Sequence, residues 1–165
     1  MEVNMNIFHT NKNPMRAARD QCDKHINKML LEDCQMLSTA HWLNGAEHAP
    51  YKPAYVKHPC TVWVADHAKH YDWVLRHAIE TLAEVERRFG NHTHKCSGPL
   101  LWLSLHKPPN IEHATTAVYD QPQCMPDVYK VDGDPVTAYR NFYRAEKAYF
   151  AKWERGRAAP TWWYE

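Results

Sequence analysis

A stripe of polar side chains borders the apolar face of a helix predicted near the start of the chain. Its members recur at steps of four, three, four and three residues: Gln21, His25, Lys28, Glu32 and Gln35. Residues three and four apart share a helix face, so this spacing brings together an imidazole, an ammonium group and a carboxylate. A carboxylate partly removed from water there could act as a general base. An ordinary Lys28–Glu32 ion pair on a solvated face explains the same spacing.

Histidines form a second group of candidates. His67 and His70 are three residues apart, and Asp66, His58 and His77 are close in sequence, so two or three nitrogen ligands for a metal are available. His67 also lies on the apolar face of its predicted helix, where it could be a hydrogen-bonded core histidine. No H-E-x-x-H motif completes a site. A metal-dependent hydrolase is therefore an alternative, while the favoured interpretation has no metal and no cofactor.

The cysteines indicate no metal or redox motif. They are five in number, widely spaced and without a C-x-x-C pair: Cys22, Cys34, Cys60, Cys96 and Cys124. We predict that they are reduced and partly buried thiols. The chain also lacks a glycine-rich phosphate loop and a G-x-S-x-G motif, so common nucleotide and acyl-transfer chemistries have no support.

The C-terminal part of the chain alternates aromatic and basic side chains. The aromatic set is Tyr139, Tyr143, Trp153, Trp162 and Trp163, and the basic set is Arg140, Arg144, Lys147, Lys152, Arg155 and Arg157. Rings that stack on bases and cations that contact phosphates are typical of proteins that bind single-stranded or distorted nucleic acid. Amphipathic helices with an aromatic core have the same pattern, so the mixture favours nucleic acid only modestly.

Composition limits the class of protein. The 165 residues carry 20 basic and 19 acidic side chains, a net charge of +1, which excludes a polybasic arm but permits a locally basic groove. The length and the 44% hydrophobic content are typical of one globular domain, predicted over residues 1–165. The N-terminus has no signal-peptide pattern, and no run approaches the roughly 18 apolar residues of a membrane span. We expect a cytoplasmic protein that contacts no membrane.

Capping signals and apolar spacing predict an all-α fold. A capping residue followed by proline begins a helix at Asn13-Pro14, His58-Pro59 and Asp134-Pro135. The apolar periodicity continues from these starts and predicts three long helices, over residues 14–42, from residue 58 to Gly90, and from residue 134 to Gly156. Residues 99–105 are predicted as a short helix, and residues 106–133 as a long, proline-rich irregular loop that packs over the helices.

Several motifs resemble known phage proteins. Residues 5–8, 22–32, 35–40 and 58–63 resemble a group of small phage-encoded proteins. More remotely, the chain is similar to the phage pyrimidine-dimer DNA glycosylase/AP lyase family, often called endonuclease V, which is all-α. Three places carry that similarity: Asp23-x-His25 followed by Glu32, the segment 73–90, which resembles a long central helix, and Pro160-Thr161-Trp162.

The resemblance implies an activity and a set of residues. In that family an N-terminal α-amino group, on a threonine exposed by removal of methionine, attacks C1′ of the sugar, and a glutamate assists the Schiff-base chemistry. The expected substrate is damaged or modified DNA, or a related nucleotide, and the expected roles are DNA repair and, in part, AP lyase chemistry. The resemblance implies that Glu32 is the catalytic glutamate, His25 the nearby histidine and Asp23 part of the D-x-H motif, and the polar stripe adds Lys28 to the expected catalytic residues. The expected DNA-binding residues are Lys24 and, from the aromatic and basic pattern, Arg140, Arg144, Lys152, Arg155, Arg157 and Trp162.

The chain departs from the family at the nucleophile. Leu31 stands where the family has an arginine before the glutamate, and Glu2 follows the first methionine where the family has threonine. The start that resembles the family is internal, at Met5. Either Lys28 or Lys24 has become the amine, or Glu32 activates water, which we favour because a carboxylate beside Lys28 opposes loss of its charge. A non-catalytic phage protein that binds nucleic acid or a host factor, in an infected bacterium, is a further alternative.

Overall fold

The computed structural model describes residues 5–113 and 120–165, and the described residues contain helices and no β-strand. The prediction of an all-α fold is therefore confirmed. The helices are α1 (Pro14–Asp20), α2 (Ile26–Leu43), α3 (Pro59–Asp66), α4 (Ala68–Phe89), α5 (Ser97–Leu105) and α6 (Pro135–Glu146). Two 3-10 turns are added at Asp127–Tyr129 and Thr161–Tyr164. None of the described helices combines the length and the apolar character needed to cross a membrane.

Helix α4 is central to the packing, because it contacts α1, α2, α3 and α5. The main core lies between these helices and includes fully buried side chains such as Ile26, Leu30, Leu37 and Tyr71. We call residues 5–13, which precede α1, the N-terminal segment. A smaller aromatic core joins this segment to α6 and to the last turn of the chain, through Phe8, Cys22, Met29, Tyr139, Tyr143 and Trp162. The N-terminal segment is therefore held between the two cores.

The predicted helix over residues 14–42 is wrong as one element, since it is interrupted at residues 21–25. The backbone of Gln21 is extended, with ψ of 136°. The guanidinium of Arg88 on α4 donates to the carbonyls of Arg19 and Gln21, at 2.9 and 2.6 Å. The Cys22 amide donates to the Tyr143 hydroxyl at 2.9 Å. Backbone groups that a continuous helix would pair internally are thus satisfied by side chains of other elements.

The predicted helix from residue 58 to Gly90 is wrong in the same way, because the chain is extended at His67. The imidazole Nδ1 of His67 accepts from the Lys69 amide at 3.0 Å and caps α4. The Ala68 amide donates to the carbonyl of Glu112 at 2.8 Å instead of to the preceding helical turn. A capping histidine and a partner from a distant loop therefore replace one turn of helix.

The third predicted helix begins correctly at Pro135 but ends at Glu146, before Gly156. Beyond it the chain turns and runs back across the α1–α2 interruption, where the Asp23 amide donates to the Lys152 carbonyl at 2.9 Å. The predicted starts at Pro14 and Pro59 and the short helix near residues 99–105 are confirmed. The described part of the 106–133 loop is irregular apart from one 3-10 turn, and its residues 114–119 lie outside the described residues.

We predict that the α1–α2 interruption depends on Arg88. Replacing Arg88 with methionine removes five hydrogen bonds from a side chain with no exposed surface. Breaking such a buried ion pair should lower the free energy of unfolding by about 3–5 kcal/mol, measured by urea denaturation. The matched control is Arg76→Met, whose side chain is 58% exposed and pairs with Glu80 on the same helix. That change should cost about 0–1 kcal/mol, and equal losses in both variants would contradict the assignment.

Candidate active site

The N-terminal segment brings α2 and the end of α6 together. The Asn6 amide lies 3.4 Å from Oε2 of Glu32 on α2. Two residues later, the Phe8 ring lies 5.0 Å from the His25 ring. The ammonium nitrogen of Lys147, just after α6, lies 5.8 Å from the Phe8 ring centroid. We call Glu32, His25, Lys28 and Lys147 the Glu32 cluster.

Glu32 has the electrostatics of an acid–base group. The residue is buried, with 8% of its surface exposed, and this burial raises the pKa of the carboxyl to about 7. The charge of Lys28 and the hydrogen bond from the Asn6 amide lower the pKa, and they only partly offset the burial. At neutral pH both protonation states of Glu32 are populated, which general acid–base catalysis requires.

His25 is a neutral imidazole in this site. Burial, with smaller contributions from the charges of Lys147 and Lys28, lowers its pKa to about 3. Its Nδ1 lies 3.5 Å from the Tyr143 hydroxyl, and its ring packs against Phe8 and Phe150. The imidazole is therefore uncharged at neutral pH, and these contacts fix the position of its ring in the cluster.

Lys28 is exposed and forms no ion pair with Glu32 within the described residues, although the two are four residues apart on α2. The ordinary helical ion pair considered for this spacing is therefore not the observed arrangement. Lys28 acts at longer range, since its charge lowers the pKa of Glu32, of His25 and of Lys147.

Lys147 was not among the catalytic residues expected from the sequence. It is half-buried, and its Nζ lies 5.8 and 5.2 Å from the ring centroids of Phe8 and Phe142. Burial lowers the pKa of this lysine and Lys28 lowers it further, while Glu146 and Glu32 oppose the shift. The sequence gives one indication of this position: Lys147 follows Tyr143 by four residues, which places both on the aromatic face of a helix.

Asp23 lies apart from Glu32. One carboxylate oxygen lies 3.3 Å from the Arg88 guanidinium, and the other accepts the Glu154 amide at 2.7 Å. It forms no hydrogen bond or ion pair with Glu32 in the described parts of the chain. Asp23 therefore holds the α1–α2 interruption against Arg88 and against the segment after α6.

Four of the predicted DNA-binding residues have partners inside the protein. Arg140 donates to the Thr10 carbonyl at 2.8 Å, and Arg144 donates to the Trp162 carbonyl at 2.7 Å. Arg157 holds the Glu84 carboxylate through two hydrogen bonds of 2.7 and 2.9 Å. Trp162 is 3% exposed and donates to Asp20. The expectation that Trp162 offers a free stacking surface is corrected, because its ring is part of the aromatic core.

The other three predicted cations are exposed. The Lys24 nitrogen lies 5.2 Å from the Phe150 ring centroid, and the Arg155 guanidinium lies 4.4 Å from that of Phe89. Lys152 is joined through its backbone to Asp23, next to Lys24. We call Lys24, Lys152 and Arg155 the basic edge. Their side chains are available to phosphates, unlike the paired arginines.

Two surface cavities lie outside the Glu32 cluster. The larger, about 620 Å³, lies between the N-terminal segment and the start of α6, and Lys12 and Thr137 are among its lining residues. The smaller, about 330 Å³, has lining residues of both charges: Arg16, Arg19, Arg140, Arg157, Asp20 and Glu165. Arg140 and Arg157 therefore present charge to this cavity although each also has an internal partner. Neither of these two cavities is lined by Glu32.

The structure places possible metal ligands at a different point from the one expected. His70 bonds the Trp63 carbonyl at 2.6 Å, and His77 bonds Asp33 at 2.5 Å. Neither they nor His67 belong to a group of three ligating side chains within the described residues. One such group exists there, with ligand atoms within 4.8 Å of one another: His58, Cys60 and Cys124. The two sulfurs are 3.5 Å apart, and His58 Nδ1 already accepts the Cys60 amide. None of the five cysteines forms a disulfide.

Comparison with known proteins identifies the family of the chain. Residues 5–97 match the model of the pyrimidine dimer DNA glycosylase family. The match covers more than half of the chain, and the chain belongs to this family. No curated protein and no solved structure matches the chain. The matched range begins at Met5 and contains Glu32, His25 and Lys28, whereas Lys147 and most of the basic edge lie beyond it.

The raised pKa of Glu32 predicts a pH-dependent cost in stability. A carboxyl whose folded pKa is about 7, above its usual 4.5, stabilises the folded state at low pH, and this stabilisation is lost as pH rises through that interval. Glu32→Gln keeps an acceptor for Asn6 and removes the charge. It should raise the free energy of unfolding by about 1–3 kcal/mol at pH 8 and change it little at pH 4. Exposed Glu47→Gln is the control, and no gain over it at pH 8 would contradict the assignment.

Proposed function

We propose that this chain cleaves the N-glycosidic bond of a damaged or modified base in DNA, with Glu32 as the acid–base group. The observation that carries the proposal is a buried carboxyl with a pKa of about 7, inside the range that matches the glycosylase family. Membership of that family supports a DNA substrate. The position of Glu32 beside exposed Lys28 supports access from the surface.

Cleavage of the glycosidic bond requires Glu32 to act in two roles. Its protonated form can donate a proton to the departing base, because a neutral base is a better leaving group than its anion. The carboxylate that remains can then stabilise the positive charge that develops at C1′ of the sugar. A group with a pKa near 7 serves in both forms at neutral pH. His25 supports this cycle by holding its uncharged ring against Phe8 and Tyr143.

DNA would be held by phosphate contacts. The basic edge provides three exposed cations: Lys24, Lys152 and Arg155. A base must leave the stack before its glycosidic bond can reach a buried carboxyl. Arg144 and Trp162 contribute to this surface only indirectly, because they hold the C-terminal turn against α6.

We predict that Glu32→Gln abolishes base release and preserves binding. Release should be measured from duplexes that are ultraviolet-irradiated or carry modified bases. Loss of the acid–base group should slow release by about 10²–10⁴-fold, while the dissociation constant for DNA stays within twofold. For the unaltered protein the rate should fall as pH rises above 7, since the acid form of Glu32 is lost. Glu47→Gln is the control. A non-catalytic binding protein would release no base in any variant.

We also predict that the basic edge determines the salt dependence of DNA binding. Lys24→Met and Lys152→Met should each weaken binding for every sequence tested. Each lost phosphate contact should reduce the slope of log K against log salt by about 0.9 for duplex DNA. The matched control is Lys52→Met, at an exposed lysine in the loop between α2 and α3. An unchanged slope in the first two variants would remove the basic edge from the interface.

A further inference from the structure

The backbone of Lys147 is fixed on both sides. Its amide donates to the Tyr143 carbonyl at 3.0 Å, and its own carbonyl accepts the amides of Phe150 and Ala151 at 3.1 and 2.8 Å. From this turn the side chain extends over the rings of Phe8 and Phe142. Phe8 is two residues from Asn6, whose amide reaches Glu32. The amine therefore packs on Phe8, in the same short segment whose Asn6 amide contacts the Glu32 carboxyl.

The surroundings of Lys147 favour a neutral amine. Its side chain is half-buried against aromatic rings and forms no ion pair with a carboxylate in the described residues. A second cation, Lys28, acts on it, and the combination of burial and a neighbouring positive charge lowers the pKa of a lysine. The attraction of Glu32 and Glu146 only partly opposes this shift. More of the nucleophilic form is present at neutral pH than for a solvated lysine.

The other amines near Glu32 are less suited to attack a sugar. Lys24 and Lys28 are exposed, so water surrounds their side chains, whereas Lys147 packs against Phe8. The Asn6 nitrogen that touches Glu32 is a peptide amide, whose lone pair is delocalised. Lys147 combines partial burial, a fixed backbone and a position beside Glu32.

We propose that Lys147 is the catalytic nucleophile that attacks C1′ of the target nucleotide and forms a Schiff base with the sugar. This inference rests on the glycosylase function proposed above. The Nζ lone pair forms a bond to C1′, the bond from C1′ to the base breaks, and its electron pair leaves with the base, which takes the Glu32 proton. The new ammonium then gives one proton to the Glu32 carboxylate. The C1′–O4′ bond opens, O4′ takes that proton, and a protonated imine joins Nζ to C1′.

Reductive trapping tests this assignment. The unaltered protein is incubated with borohydride and two duplexes, one with a target base and one with an abasic site, whose aldehyde needs no base release. Hydride addition to C1′ converts the imine to a stable secondary amine. Peptide mapping should place the added mass on Lys147. Lys147→Arg keeps the positive charge and should lower the trapped yield at least 100-fold. Lys52→Arg should trap as the unaltered protein does.

The outcomes separate the two proposals. An adduct on Lys24, Lys28 or the N-terminal amine overturns the role of Lys147, and mapping on the unaltered protein decides this even where a variant fails to fold. Base release without trapping also overturns it and leaves the glycosylase function with water as nucleophile. Trapping of abasic DNA on Lys147 without base release supports the amine and overturns the glycosylase proposal. Neither release nor trapping overturns both.

Discussion

The buried guanidinium of Arg88 is the interaction on which the geometry of the site depends. A buried cation is costly unless its donors are matched, and here they reach two carbonyls of the α1–α2 interruption and the carboxylates of Asp23 and Glu84. Although burial opposes it, hydrogen bonds from Arg157 and Arg88 keep the pKa of Glu84 below its usual value. The interruption lets α2 begin at Ile26. Glu32 thus meets the N-terminal segment in an orientation that a continuous helix would not impose.

The Glu32 cluster differs from the Arg88 network because its acid and its amine are not in direct contact. Arg88 and Glu84 are buried in direct contact, so each stabilises the ionised form of the other. Glu32 and Lys147 are both removed from water but do not reach ion-pair distance within the described residues. Their attraction is therefore weak, and burial raises the pKa of the acid and lowers that of the amine. The pKa of the carboxyl is thus raised and that of the amine lowered at two groups that contact the same N-terminal segment.

The sequence predicts those features that depend on neighbours along the chain. The helix starts at Pro14, Pro59 and Pro135 follow from caps, and the proximity of His25, Lys28 and Glu32 follows from helical spacing. The interruptions at residues 21–25 and at His67 were missed because the apolar periodicity continues through them. They arise from partners distant in sequence, Arg88 and Glu112. Lys147 was missed as a candidate for the same reason, since it meets the surroundings of Glu32 through the folded N-terminal segment.

The division between the matched range and the rest of the chain corresponds to a division of chemistry. Residues 5–97 contain the carboxyl and the helices that bury it. Beside Glu32 that range places the Asn6 amide, which donates a hydrogen bond and lacks a free lone pair, and the exposed side chain of Lys28. The half-buried amine comes from residue 147, and two of the three cations of the basic edge come from the segment after it. The segment after α6 contacts the matched part at two points: the Glu154 amide donates to Asp23, and Arg157 donates to Glu84. The same contacts that complete the fold therefore join the segment that carries Lys147, Lys152 and Arg155 to the part of the chain that carries Glu32.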